Sequence, residues 1–181
     1  MAEDNNIIIY TESARDPESG HVFWFAKMVW KNHEDYFLHL NGIHSGDSQD
    51  MTTTDGGIID AVVHCIQHLD MDRKYNLDII TKKNRVGLQR NFLLIDSMHS
   101  QNWMMGKGVS SREVPDASAL RRMYNVKNRI ISLNFLSHPE HEVVRQMDLM
   151  AKTFREAYYL ESGREPQQII TDRPKLVIQN R

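Results

Sequence analysis

One cysteine, Cys65, stands in 181 residues, so the chain forms no intrachain disulfide and lacks the thiols of a cysteine-rich metal site. That usage fits a reducing, intracellular setting, taken here as cytoplasmic, or nuclear in a eukaryotic host. No run reaches the roughly 18 apolar residues that a membrane-spanning helix requires, so no membrane partner is expected. The opening MAEDNNIII is acidic and lacks the basic-then-apolar layout of a secretory signal. An excess of charge of one sign is also missing: 22 Lys plus Arg against 24 Asp plus Glu give a formal net charge of −2. A protein that coats nucleic acid by charge alone is thereby excluded, while local basic patches are not.

What is present suffices for one core. The hydrophobic share is 40%, far from the disordered range, and the length suits a single domain. That domain is expected over 1–162. A polar tail follows at 163–181, with room for one extra strand at Lys175–Gln179.

Asn6–Tyr10 is β-branched and bounded by polar residues, a buried strand. After the turn-rich Asp16–Gly20, His21–Trp30 reads as a second strand and Tyr36–Asn41 as a third, paired antiparallel across a short polar turn. In the second strand, alternation sends Val22, Trp24 and Ala26 to one side and Phe23, Phe25 and Lys27 to the other. Gly42–Asp55 is a loop ending in Thr52-Thr53-Thr54-Asp55, side chains able to cap a helix. Ile58, Ile59, Val62, Val63, Ile66 and Leu69 then recur at helical spacing. Leu77–Thr81 is a strand, and Val86–Met98 has helical spacing. Gln101–Pro115 is a long connection, and Asp116 caps a helix through Val126. Arg129–Phe135 is a fifth strand. From Ser137 and Pro139 a last helix carries the stripe Val143, Val144, Met147, Met150, Ala151, Phe154 and Tyr158. The order is β-β-β-α-β-α-α-β-α, an α/β chain.

Five short motifs fall along this order: Tyr10-Thr11-Glu12-Ser13, Asp16-Pro17-Glu18-Ser19-Gly20, Thr52-Thr53-Thr54, His99–Gly108 and His138-Pro139-Glu140. In that sequence and spacing they resemble the ribonuclease H family over about residues 6–160. The matching family segments are its first-strand Thr-Asp-Gly-Ser, its Pro/Gly turn, its Thr-Thr-Asn-Asn helix start, its basic handle and its His-Pro-Glu. The resemblance implies a ribonuclease H-like fold with a five-stranded mixed sheet flanked by helices. It also implies a family chemistry in which four carboxylates hold two magnesium ions that cut RNA in RNA–DNA hybrids.

Set against that pattern, the carboxylates are depleted. Glu12 stands at the first position, Ile58 at the second and Lys82, after Thr81, at the third. Counting from His138-Pro139-Glu140 puts Arg145 at the fourth, and the family's loop histidine falls near Phe135. Asp60 is two residues from Ile58, about 200° around the helix, and Asp148 is three from Arg145, about 4.5 Å along it. The expectation is a non-catalytic binding or regulatory module for nucleic acid, RNA or an RNA–DNA hybrid, or for a protein partner, with no cofactor. The alternative is a divergent ribonuclease with Glu12, Asp60 and Asp148 as catalytic carboxylates, in which Glu12 and Asp148 hold Mg²⁺ or Mn²⁺. Candidate nucleic-acid contacts are Lys82, Lys83, Arg85, Trp103, Lys107 and Arg145, with Arg90 in the same charge run. Met104 and Met105 beside Trp103 equally suit a protein contact. The ordinary readings of these residues are a solvated strand-end carboxylate for Glu12, helix-surface charges for Asp60 and Asp148, and a solvated helix start for Lys82–Arg90. His64 and His68, four residues apart, are a two-histidine metal option or packing histidines.

Overall fold

The computed structural model describes residues 5–45, 51–82, 88 and 116–161. Three strands come first: β1 (Asn6–Arg15), β2 (Val22–Trp30) and β3 (His33–His44). Helix α1 (Thr54–Gln67) leads into β4 (Tyr75–Thr81), and then come α2 (Ala117–Val126), β5 (Ile130–Ser137) and α3 (Glu142–Glu161). The sheet order is β3-β2-β1-β4-β5. β1–β2 and β2–β3 are antiparallel, while β1–β4 and β4–β5 are parallel. The five-stranded mixed sheet flanked by helices is the architecture expected from the sequence.

Strand alternation divides the molecule into two layers about the sheet. Ile7, Ile9, Trp24, Ala26, Leu77 and Ile79 face α1 and join Ile58, Ile59, Val62 and Ile66 in the main core. Each fully buried Ile, Leu or Val among them stabilises the fold by about 1.5–3 kcal/mol. On the opposite face Ala14 and Phe25 meet Met147 and Ala151 of α3, with Tyr10, Val143, Met150 and Phe154 at the margin. The split of Trp24 and Ala26 from Phe25 is therefore the one that alternation requires.

Several elements are longer than their apolar runs. β1 continues through Glu12 to Arg15, because Thr11 donates its hydroxyl to Phe25 O at 2.9 Å and the whole segment pairs with Val22–Trp30. β3 extends to His33 and His44 because backbone pairing with β2 holds its polar ends. At α1 the expected cap is present: Thr53 Oγ1 accepts the Gly56 N–H at 3.2 Å. The segments 86–98, 101–115 and 163–181 lie outside the described residues, Leu88 excepted, which is buried in the main core.

Candidate functional site

β1, β4 and β5 run parallel, so their carboxyl ends open on the same side of the sheet. Open α/β sheets bind ligands at such ends, beside the point where strand connections diverge. Here the diverging neighbours are β4 on one side of β1 and β2 on the other.

Four charged residues, Glu12, Lys82, Asp148 and Lys152, gather there. Glu12, fully buried on β1, projects to the α3 face together with Tyr10 and Ala14. Its carboxylate accepts the backbone N–H of Lys82 at 2.6 Å. Lys82 directly follows β4 and extends its ammonium to Asp148 Oδ2 on α3, at 2.7 Å. The same oxygen receives the Lys152 ammonium at 2.9 Å. Two further bonds hold the Lys82 backbone in place: His138 N–H to Thr81 O at 2.8 Å and Ser137 Oγ to Lys82 O at 3.4 Å. Where the chain enters α3, His141 stacks on Tyr10 at 4.8 Å and its Nδ1 accepts the Val143 N–H.

Opposing forces set the protonation of this group. Burial pulls the Lys82 ammonium down, but the hydrogen bond and charge of Asp148, with the charge of Glu12, outweigh it and hold its pKa above the ordinary lysine value. Burial pushes Asp148 up, but hydrogen bonds and charges from Lys82 and Lys152 outweigh that and hold it below the ordinary carboxylate value. Lys82 and Asp148 are consequently ionised near neutral pH.

Arg145 requires a correction. It is exposed, and Asp148 is the residue that α3 turns toward the strand ends. Counting from His138-Pro139-Glu140 treats that segment as helical, whereas α3 begins only at Glu142. The inward row is Val144, Met147, Asp148 and Ala151, spaced by three and four, and Arg145 stands about 100° away from Val144.

Asp60 is neither a surface charge nor a neighbour of Glu12. It is 1% exposed on the α1 side of the sheet, where Trp24 Nε1 donates to Oδ2 at 2.9 Å and Arg122 Nη2 to Oδ1 at 2.8 Å. Because Ser13 pairs with Trp24 and Glu12 with Phe25, the two carboxylates belong to opposite faces. Ile58, which the resemblance sets at the second carboxylate position, is fully buried in the main core. Phe135 is likewise a core residue. His64 lies 3.7 Å from Asp60, and His68 Nδ1 bonds to His64 O, so the two imidazoles serve the helix and its carboxylate. Lys83, Arg85, Arg90, Trp103, Met104, Met105 and Lys107 lie outside the described residues.

Sequence reasoning missed two features. Lys152 follows Asp148 by four residues, a spacing at which opposite charges pair on a helix. Asp116, expected to cap the helix it precedes, makes no such bond and has φ 59. Its carboxylate instead takes the Thr53 N–H at 2.8 Å, the Thr53 hydroxyl and His44 Nε2 at 2.9 Å, all at the start of α1.

Magnesium takes hard oxygen donors in a near-octahedral set. The residues present do not fit a two-ion site of that kind. Only two carboxylates, Glu12 and Asp148, stand around Lys82 among the described residues, and Asp148 already holds two ammonium groups. Among the described residues no group of three or more His, Cys, Asp or Glu could hold a metal ion. Among them, too, no helix is long and apolar enough to cross a membrane.

No family model matches the chain, and no curated protein matches it in sequence. Solved structures similar to it include the N-terminal ribonuclease H domain of rv2228c from Mycobacterium tuberculosis, fused to maltose-binding protein, at 11% identity and TM-score 0.48, over 87% of this chain and 98% of that one. The prototype foamy virus protease-reverse transcriptase is similar at 13% identity and TM-score 0.47, over 84% of this chain and 21% of that one. LC9-RNase H1, a type 1 enzyme with the type 2 active-site motif, is similar at 8% and 0.48, over 81% and 70%. These are likenesses of chain path, at identities too low to carry a residue's role across.

Proposed function

We propose that this protein is a non-catalytic ribonuclease H-like module that binds nucleic acid at its strand-end face without a metal ion. The observation behind this reading is the Lys82 ammonium, 2.7 Å from Asp148 and within the field of Glu12. Metal-assisted phosphodiester cleavage needs cations that activate water and stabilise the leaving oxygen. A lysine supplies charge but neither of those functions in the same form. It can still neutralise a phosphate, which is what affinity for a polyanion requires. Lys82 and Lys152 are each partly exposed here, and Arg145 is exposed one turn away on α3.

A second reading, a divergent metal-dependent ribonuclease, draws on the convergence of Glu12 and Asp148. Lys82 between them and Asp60 on the other face of the sheet both count against it.

Fluorescence anisotropy with a labelled RNA–DNA hybrid, double-stranded RNA and single strands, in EDTA and at rising salt, tests the proposal. Saturable binding is expected, with log K falling linearly in log[salt] and a several-fold loss in Lys152→Glu and Arg145→Glu. If no nucleic acid binds, the proposal is wrong.

A further inference from the structure

We infer that β5 is the contact through which two copies of this chain associate, each pairing antiparallel with β5 of the other along its outer edge. That surface lies beside the strand-end face and needs no nucleic acid to act.

A five-stranded open sheet has two edges, here β3 and β5. An edge strand carries a row of backbone N–H and C=O groups that another strand can pair with, and proteins blunt it with charge, proline or irregular pairing. β3 has such devices: it opens on His33-Glu34-Asp35, and its pairing with β2 shifts register at Val29/Trp30. β5 reads IISLNFLS, with neither a charged residue nor a proline. Its register shift comes at the start and passes over Ile131, which is 59% exposed; residues 132–137 then pair without a break with 76–81. Among the described residues no strand pairs with the outer side of β5. A regular, uncharged run of β-formers at an edge is a template for strand addition.

Charge at the two ends of the strand selects the partner. Lys127 and Arg129 precede β5, and Glu140 and Glu142, both exposed, follow it. In an antiparallel pair the cationic end of each copy lies beside the acidic end of the other, so both ends attract. A parallel pair would set like charges side by side. A two-fold axis through the sheet also keeps the faces continuous. Ser132 and Asn134, which bond to Asn76 and Asp78 on the face away from α1, meet the same face of the second copy, and Leu133 meets the face that packs on the main core. An interface of one strand and its flanks falls in the small class, below about 1,200 Å², so the dimer is reversible. Pairing doubles the five-stranded sheet and sets the two strand-end faces at its opposite ends, which gives one assembly two separated Lys82–Asp148 pairs.

Sedimentation equilibrium of the full chain across the micromolar range tests this. A monomer–dimer equilibrium is expected, with Kd on the order of 10–100 µM, as suits a small interface, and weakening as salt rises. Asn134 is exposed and lies near the middle of the strand, so Asn134→Lys sets like charges close to the two-fold axis and should raise Kd about ten-fold or more. Lys127→Glu and Glu140→Lys should each weaken the dimer. Lys127→Glu/Glu140→Lys should regain native affinity, because the charges exchange ends. A chain that stays monomeric throughout overturns the inference. So does a dimer unaffected by Asn134→Lys, or a double variant as weak as the single ones. Circular dichroism checks each fold. Should Asn134→Lys fail to fold, the charge exchange decides: restored affinity supports β5 pairing, and no restoration rejects it.

Discussion

At the scale of single residues, Lys82 and Asp148 tell different stories about what a sequence discloses. A lysine directly after Thr81 was legible, because a strand end fixes its position by alternation alone. Asp148 was not placed, because a helical frame depends on where the helix starts, and three residues at 139–141 lie outside α3. The apolar row Val144, Met147 and Ala151 held the correct frame throughout. The two shifted pKa values give the pair a pH signature. Lys82 is raised in the folded state, so its contribution is complete below the unfolded lysine value of about 10.4 and is lost as pH rises through its folded value. Asp148 is lowered, so its contribution is present above the unfolded value of about 3.9 and is lost as pH falls through its folded value. Urea midpoints of the native chain and Asp148→Asn should therefore differ by a constant amount from about pH 5 to about pH 9, converging outside that window. A difference that peaks between pH 6 and 7 would assign the effect to a histidine and contradict the pairing described here.

At the scale of elements, the start of α1 shows how packing overrides propensity. The Thr53 cap was readable from Thr52-Thr53-Thr54-Asp55. What fixes the helix in place was not, since Asp116 lies over sixty residues away and reaches back from the start of α2. No local pattern signals such a contact, and a side chain at φ 59 looks in sequence like any other aspartate before a helix. Gly56 and Gly57 are the visible trace. They are poor helix formers, yet a Cβ on Gly56 would lie 1.9 Å from Asp116 Oδ1, and one on Gly57 would lie 2.4 Å from Val22 Cγ1. Propensity alone predicts that Gly56→Ala gains about 1 kcal/mol. The collision predicts a loss of about 2–4 kcal/mol, and it is the larger effect. Chemical denaturation checks the sign. In Gly56→Ala/Asp116→Ala the two costs should be less than additive, because the carboxylate that collides is gone. A stabilised Gly56→Ala would mean that Asp116 is not seated against α1.

At the scale of the whole molecule, element order was the most legible property. Three strands joined by short turns, a helix, and later strands reached through helices leave few sheet arrangements, since parallel neighbours need crossovers and hairpins do not. The observed order β3-β2-β1-β4-β5 follows from those constraints. The same arrangement decides which acids meet. It sets Glu12 and Asp148 on one face and Asp60 on the other, a partition invisible to residue spacing because it depends on which helix covers which side. The central claim, that this strand end runs on a lysine rather than on metal ions, is tested most directly by single-turnover cleavage. The assay follows a labelled RNA–DNA hybrid under excess protein with Mg²⁺ or Mn²⁺. The account predicts no cleavage above the protein-free rate with either ion. Metal-dependent cleavage that disappears in Glu12→Ala would contradict it.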